Sequence, residues 1–228
     1  MGHTPATTET EGRVTPEKGD TGSTCLCPLF TLNPTMTFDR THFYDTIRAR
    51  LYPKVGLKQA QVDGLNWLLE HFEQDDRMSD VRWVAYALAT TKRETGDEYE
   101  PISEKGPRSY FAKYDFRRDL GHNAVGMGWK WRGRGYPQCT GLRNYTLFSR
   151  ILGIDLVNDP DQMLDRNVAY QTMVIGMTQG LFTGRKLADY INDKKCDYVG
   201  ARWIINSQDK AVLIADHARI FETALRAA

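Results

Sequence analysis

Apolar residues recur at helical spacing over most of this chain, broken by one long irregular stretch. Leu57, Leu65, Leu68, Leu69 and Phe72 fall on one face of a helix read over 57–74. A second stripe, Val81, Val84, Ala85, Leu88 and Ala89, follows Ser79 and Asp80, either of which suits the N-cap, and Gly96 supplies the stop. Glu94 is thereby placed on the last turn of a buried helix. From 97 to 141 the periodicity is lost, and this aromatic, glycine-rich segment reads as a short hairpin with long loops. Helical spacing returns over 144–153. Asp159-Pro160 opens the next stretch, with proline at a first helical position. Asp165 caps a helix over 166–182, and further helical segments are read over 186–191, 197–206 and 209–228. Trp203, Ile204 and Ile205 form an apolar run assigned to the core. Asn206 beyond them either caps a helix or reaches into a cleft. The pattern predicts a mainly α body beginning near Phe38, with an irregular or β-hairpin segment inserted between helices.

The first 35 residues differ in kind. They are rich in Thr, Glu, Gly and Pro and lack the apolar residues to bury a core, so they are read as a flexible tail, 1–35, ahead of one domain, 36–228. The plainer reading of the tail is a solubilising leader; the other is a tether to a particle or partner protein. Glu9, Glu11, Glu17 and Asp20 against Arg13 and Lys18 give the tail −2, which leaves +3 for the body out of a net +1. That charge is too small to argue for nucleic acid. Cys25, Cys27, Cys139 and Cys196 lack the paired CxxC spacing of a structural zinc site, and the five histidines are scattered, so no metal or other cofactor is expected. A Cys139–Cys196 disulfide is conceivable, but reduced thiols fit the spacing better. No run of about 18 apolar residues is present, so no membrane-spanning helix is expected. The start of the chain has no signal-peptide pattern.

Two segments carry candidate chemistry. The first, KRETGDEYEPISEKG, concentrates Glu94, Asp97, Glu98, Glu100 and Glu104. Cutting a glycosidic bond requires one protonated and one ionised carboxyl flanking it, and a helix end running into loops is a place where such groups are held. A lone Glu at a helix end is more often a solvated surface residue. The second segment, GWKWRGRGYPQCTGLRNY, mixes Trp129, Trp131, Tyr136 and Tyr145 with Arg132, Arg134, Gln138 and Asn144. Aromatic faces stack on sugar rings, while amides and guanidinium groups bond hydroxyl and N-acetyl groups. The same mixture suits single-stranded RNA, and the plainest alternative is a loop whose aromatics only pack on the helices. No nucleophile setting surrounds Cys139.

KRETG, PISEKG, WRGRGYPQCTGLRNY and ARWIIN together resemble glycoside hydrolase family 19, most nearly its phage-type endolysins related to plant class I chitinases. LGIDLVNDPDQMLD and GLFTGRKLADYI extend the resemblance over most of 55–228. The resemblance implies a lysozyme-like, two-lobed, mainly helical fold and an inverting acid–base mechanism without a cofactor. Glu94 of Glu94-Thr95 takes the family's general-acid position. Glu104 of Glu104-Lys105-Gly106 takes that of the base, for which Glu98 and Glu100 remain alternatives. Thr140 takes the position of a hydroxyl that helps hold the water, and Asn144 that of a sugar-binding residue. Trp131, Arg134, Tyr136, Gln138 and Asn206 are the remaining candidate substrate-binding residues. The sequence departs from the family where Arg93 replaces the usual His before the acid. Inversion requires carboxyls about 6.5–9.5 Å apart.

The implied substrate is a β-1,4-linked N-acetylhexosamine polymer, bacterial peptidoglycan ahead of chitin. The expectation is a bacteriolytic, antimicrobial endolysin, made in the cytoplasm and acting on the wall after release, or carried on a virion. Two other classes compete: a catalytically inactive module that binds wall polymer, and an RNA-binding protein using WKWRGRGY.

Overall fold

A computed structural model describes residues 36–206 and 208–226. The tail 1–35, with Cys25 and Cys27, lies outside the described residues. Residues Pro34–Ala228 form one compact unit.

The structure is mainly helical. Helix α1, Arg40–Arg50, opens on Asp39, whose side chain accepts from the His42 amide. It has no counterpart in the sequence pattern, because only Phe43, Tyr44 and Ile47 are buried among many charged residues. Helix α2, Gln59–Glu73, buries the predicted Leu65, Leu68, Leu69 and Phe72. Helix α3, Val81–Glu94, is capped by Asp80 and buries every residue from Val84 to Lys92. A helix buried on every side over nine successive residues lies at the centre of the core, and α3 is that element. After it come β1 (Ile102–Ser103), α4 (Arg108–Phe111), α5 (Met127–Lys130) and β2 (Arg134–Gly135). Then follow α6 (Leu142–Leu152), α7 (Arg166–Gln179), α8 (Leu187–Tyr190), β3 (Ile191–Asn192), β4 (Lys195–Cys196) and α9 (Ala211–Leu225). Helix α9 packs along α3 and α1 packs on α9. None of the described helices is long and apolar enough to cross a membrane.

The irregular segment contains a tight local antiparallel turn, in which the Arg134 and Cys139 amides donate to each other's carbonyls at 3.1 and 2.9 Å, and a longer-range antiparallel pair. Strand β1 pairs with β2 in the register Ile102 to Gly135 and Ser103 to Arg134, with α4 and α5 between them in sequence. A further tight hairpin joins β3 and β4, within a stretch whose 186–191 portion reads as helix. Only one turn, α8, forms there before the chain extends. The expected helix over 197–206 is a 3-10 turn, Gly200–Ile204. Within it Ile204 is buried, but Trp203 is 48% exposed, against its assignment to the core. Buried Ala201 and Ile204, three residues apart, share one face of the 3-10 turn, and Trp203 projects from another.

Two apolar clusters form the interior. The larger gathers side chains from α1, α2, α3, α7 and α9; the smaller holds Trp131, Tyr145, Phe148, Leu156, Met163 and Val168. Phe182 packs against both.

A polar cluster holds the turn that follows α3. Lys92 bonds the Tyr52 hydroxyl at 3.0 Å and pairs with Asp97. The Tyr52 and Tyr99 hydroxyls share a 2.6 Å hydrogen bond. Asp97 and Tyr99 sit at φ 70 and 54, a backbone region that only these contacts make tolerable. Gly64 of α2 presses on this turn, since a Cβ there would lie 2.5 Å from the Tyr99 carbonyl oxygen. Gly64→Ala is therefore expected to cost about 1–3 kcal/mol in unfolding free energy by chemical denaturation, the range for overpacking a tight interior.

Cys139 and Cys196 are both free. Complete burial pushes the Cys139 thiol up to about 12, so it is neither nucleophile nor ready oxidation target. Alkylation followed by peptide mapping should modify exposed Cys196 in the folded protein and Cys139 only after denaturation.

Candidate active site

Glu94 is the last residue of α3. Its Oε1 accepts a 2.7 Å hydrogen bond from Nη1 of Arg202, which stands on the 3-10 turn Gly200–Ile204. The Arg202 side chain is 3% exposed and that of Glu94 is 18% exposed, so the pair is largely withdrawn from solvent. Arg202 is also held from behind, because its Nε donates to the Asp209 carbonyl at 3.0 Å. Of the two cations that precede Glu94 in sequence, Lys92 is occupied elsewhere, buried with Asp97 and Tyr52. Arg93 is exposed.

Glu104 follows β1 directly. Its amide donates to the Gly133 carbonyl at 2.7 Å, and its Oε2 accepts from the Gly133 amide at 3.3 Å. Gly133 has room for no side chain. A Cβ there would lie 2.9 Å from Gln138 Oε1, 3.2 Å from Thr140 Oγ1 and 3.3 Å from Glu104 Oε2. Three polar side chains therefore converge on one backbone position, and the close approach requires glycine. Gln138 is fixed at φ 51, and its Nε2 donates to the carbonyls of Ile102 and Gly135 at 3.0 and 3.1 Å. Thr140 Oγ1 donates to the Gln138 carbonyl at 2.9 Å, and Asn144 Nδ2 donates to the Thr140 carbonyl at 2.9 Å. With its one proton used, the Thr140 hydroxyl still has lone pairs to accept from a water.

Glu94, Glu104, Gln138, Thr140, Asn144 and Asn206 all line one cleft of about 560 Å³. Of the carboxylates crowded into 94–104, only Glu104 joins Glu94 there. Asp97 is taken by Lys92 and Glu100 by Arg166, whose Nε lies 2.8 Å from it. Exposed Glu98 is not among the cleft-lining residues. Asn206 lines the cleft rather than only capping a helix.

Three expected substrate-binding residues are not brought to the cleft. Trp131 is a core side chain of the smaller cluster, with its Nε1 directed to the Val157 carbonyl at 3.3 Å. Arg134 is buried, donating to Asp161 Oδ1 at 2.8 Å, the Lys130 carbonyl at 3.0 Å and the Tyr145 hydroxyl at 3.1 Å. Tyr136 is fully buried in the larger core. Tyr145 is buried too, and the Arg132 guanidinium lies over the Trp129 ring at 4.0 Å. The aromatic, basic segment therefore acts mostly as interior scaffold. Its rings Trp131, Tyr136 and Tyr145 are buried and so are not available for stacking on a ligand.

Sequence reasoning missed Arg202, although it lies within the ARWIIN segment, because nothing local links it to Glu94. It also missed Tyr114, Arg117, Leu120, Phe182 and Ile205, which complete the cleft wall. They come from irregular stretches and turns, where no periodicity marks a face. Among the described residues, no group of three His, Cys, Asp or Glu side chains is placed to hold a metal ion.

The chain is similar in structure to a bacterial family 19 chitinase. The identity is 16%, over 84% of this chain and 96% of that one, with a TM-score of 0.46. Chitinase C from Streptomyces griseus HUT6037 is 20% identical over 64% of this chain and 68% of its own, at a TM-score of 0.39. A point mutant of chitinase C has the same identity and coverage, at 0.41. No family model matches the chain, and no curated protein does.

Proposed function

We propose that this chain is a glycoside hydrolase that cuts β-1,4-linked N-acetylhexosamine polymer with inversion, and that its substrate is bacterial peptidoglycan. The observation that carries the proposal is the selection made by the fold. From five acidic residues within eleven positions, one cleft receives Glu94 and Glu104, together with Thr140. In this reading the glycan lies across the cleft between the two lobes. Glu94 protonates the leaving glycosidic oxygen. Glu104 deprotonates a water that also bonds to Thr140, and the ionised carboxylate stabilises the oxocarbenium-like transition state. Gln138 and Asn144, each held by backbone carbonyls, and Asn206 bond to hydroxyl and N-acetyl groups of the sugar.

The test is turbidity loss of purified, outer-membrane-stripped bacterial walls, run beside colloidal chitin. Proton NMR of the first-formed reducing ends reads their configuration. The expected result is clearing of walls with α-anomeric first product. Clearing of chitin alone would replace peptidoglycan by chitin, a β-anomeric first product would remove the inverting mechanism, and binding to walls without any cleavage would leave a non-catalytic module.

A further inference from the structure

The cleft wall carries two arginines, Arg93 and Arg117, and two glutamates, Glu94 and Glu104. Two of them are already paired. Glu94 takes Arg202, and Arg117 donates through Nε to Asp119 Oδ1 at 2.7 Å. The Arg117 guanidinium pulls the Asp119 carboxyl down to about 2, so that pair stays ionised throughout the working range of pH.

Arg93 is different. It is exposed, lies next in sequence to Glu94, and lines the same cleft. Its carbonyl accepts from the Gly96 amide at 3.4 Å, but among the described residues its guanidinium makes no hydrogen bond or ion pair. Its neighbour Lys92 shows the alternative that this helix end permits, a cation buried and satisfied by Asp97. A free guanidinium fork in a substrate cleft matches a planar oxyanion on the ligand. A homopolymer of N-acetylglucosamine carries no such group. Peptidoglycan carries carboxylates along its length, on the lactyl groups of peptide-free strands and on its stem peptides.

We propose that Arg93 is a specificity-determining residue that binds a carboxylate of the glycan strand and so favours peptidoglycan over neutral chitin. This rests on the reading of the cleft as a glycan site, and it concerns binding, so it is separable from turnover. The experiment measures equilibrium binding by full-length protein carrying Glu94→Gln, which holds the strand uncut. The probes are amidase-stripped glycan strands with free lactyl carboxylates, peptide-bearing murein fragments, and N-acetylglucosamine oligomers of equal length. Adding Arg93→Gln is expected to lower the ratio of charged to neutral affinity about three- to tenfold, the range for an accessible charge-assisted contact. It should also flatten the salt dependence of that ratio. Arg93→Lys should keep most of the ratio. A loss confined to peptide-free strands assigns the lactyl carboxylate as the partner, and a loss confined to peptide-bearing fragments assigns the stem peptide. An unchanged ratio in Arg93→Gln overturns the proposal, even where Glu94→Gln abolishes wall clearing and the hydrolase reading stands. Absence of binding to all three probes overturns both.

Discussion

Glu94→Gln is expected to reduce wall clearing about a thousandfold in kcat, within the range of 10²–10⁴ for a positioned general acid. The substitution keeps the shape of the side chain and an oxygen that accepts from Arg202 Nη1, a contact made at 2.7 Å in the native protein. What it removes is the proton that the leaving oxygen needs. KM should change little, because the ground-state contacts of Gln138, Asn144 and Asn206 are untouched; a loss confined to kcat marks an interaction made in the transition state. Progress curves of wall turbidity, with circular dichroism to confirm folding, provide the measurement. Equal clearing by both proteins would remove Glu94 from the acid role and leave the cleft without its central residue.

Arg202→Met is expected to have the largest effect on stability while also reducing turnover. Methionine nearly fills the volume of the arginine stem but leaves the Glu94 carboxylate without its cation and the Asp209 carbonyl without the Nε donor. Breaking a buried pair by removing one partner costs about 3–5 kcal/mol; the 18% exposure of Glu94 lets water recover part of that, so about 2–4 kcal/mol is expected from chemical denaturation. Turnover should fall at least about tenfold, because the carboxyl loses the contact that orients it. Combining Arg202→Met with Glu94→Gln discriminates between the pair and unrelated damage. If the contact is the cause, the double variant loses clearly less stability than the sum of the single variants. Strict additivity, or an Arg202→Met protein as stable and active as the native one, would show that the ion pair is incidental.

The elements legible in the sequence were those whose own residues suffice to specify them. Asp80, the apolar stripe of α3 and Gly96 mark both ends of a helix locally, and the structure places Val81–Glu94 there. Asp165 likewise starts α7, by accepting from the amides of Asn167 and Val168. Helix α1 escaped notice because three buried side chains among charged ones make too faint a period. The turn Gly200–Ile204 has the sequence of an α-helix because a short apolar run does not distinguish 3.6 residues per turn from three.

The same division runs through the site. The sequence by itself placed Glu94 at a helix end and assembled the candidates Glu104, Gln138, Thr140, Asn144 and Asn206, all of which line the cleft. It also overvalued Trp131, Arg134 and Tyr136, since an aromatic or arginine bears the same letter whether it faces solvent or a core. Only the tertiary structure decided among the clustered carboxylates, by giving Asp97 to Lys92, Glu100 to Arg166 and Glu104 to the cleft. Only it could pair Glu94 with Arg202, a contact between residues far apart in the chain. The reason is physical: helix periods and caps are properties of neighbours in sequence, whereas burial, ion pairing and the sharing of a cleft depend on which distant segments the packing of two apolar cores brings together.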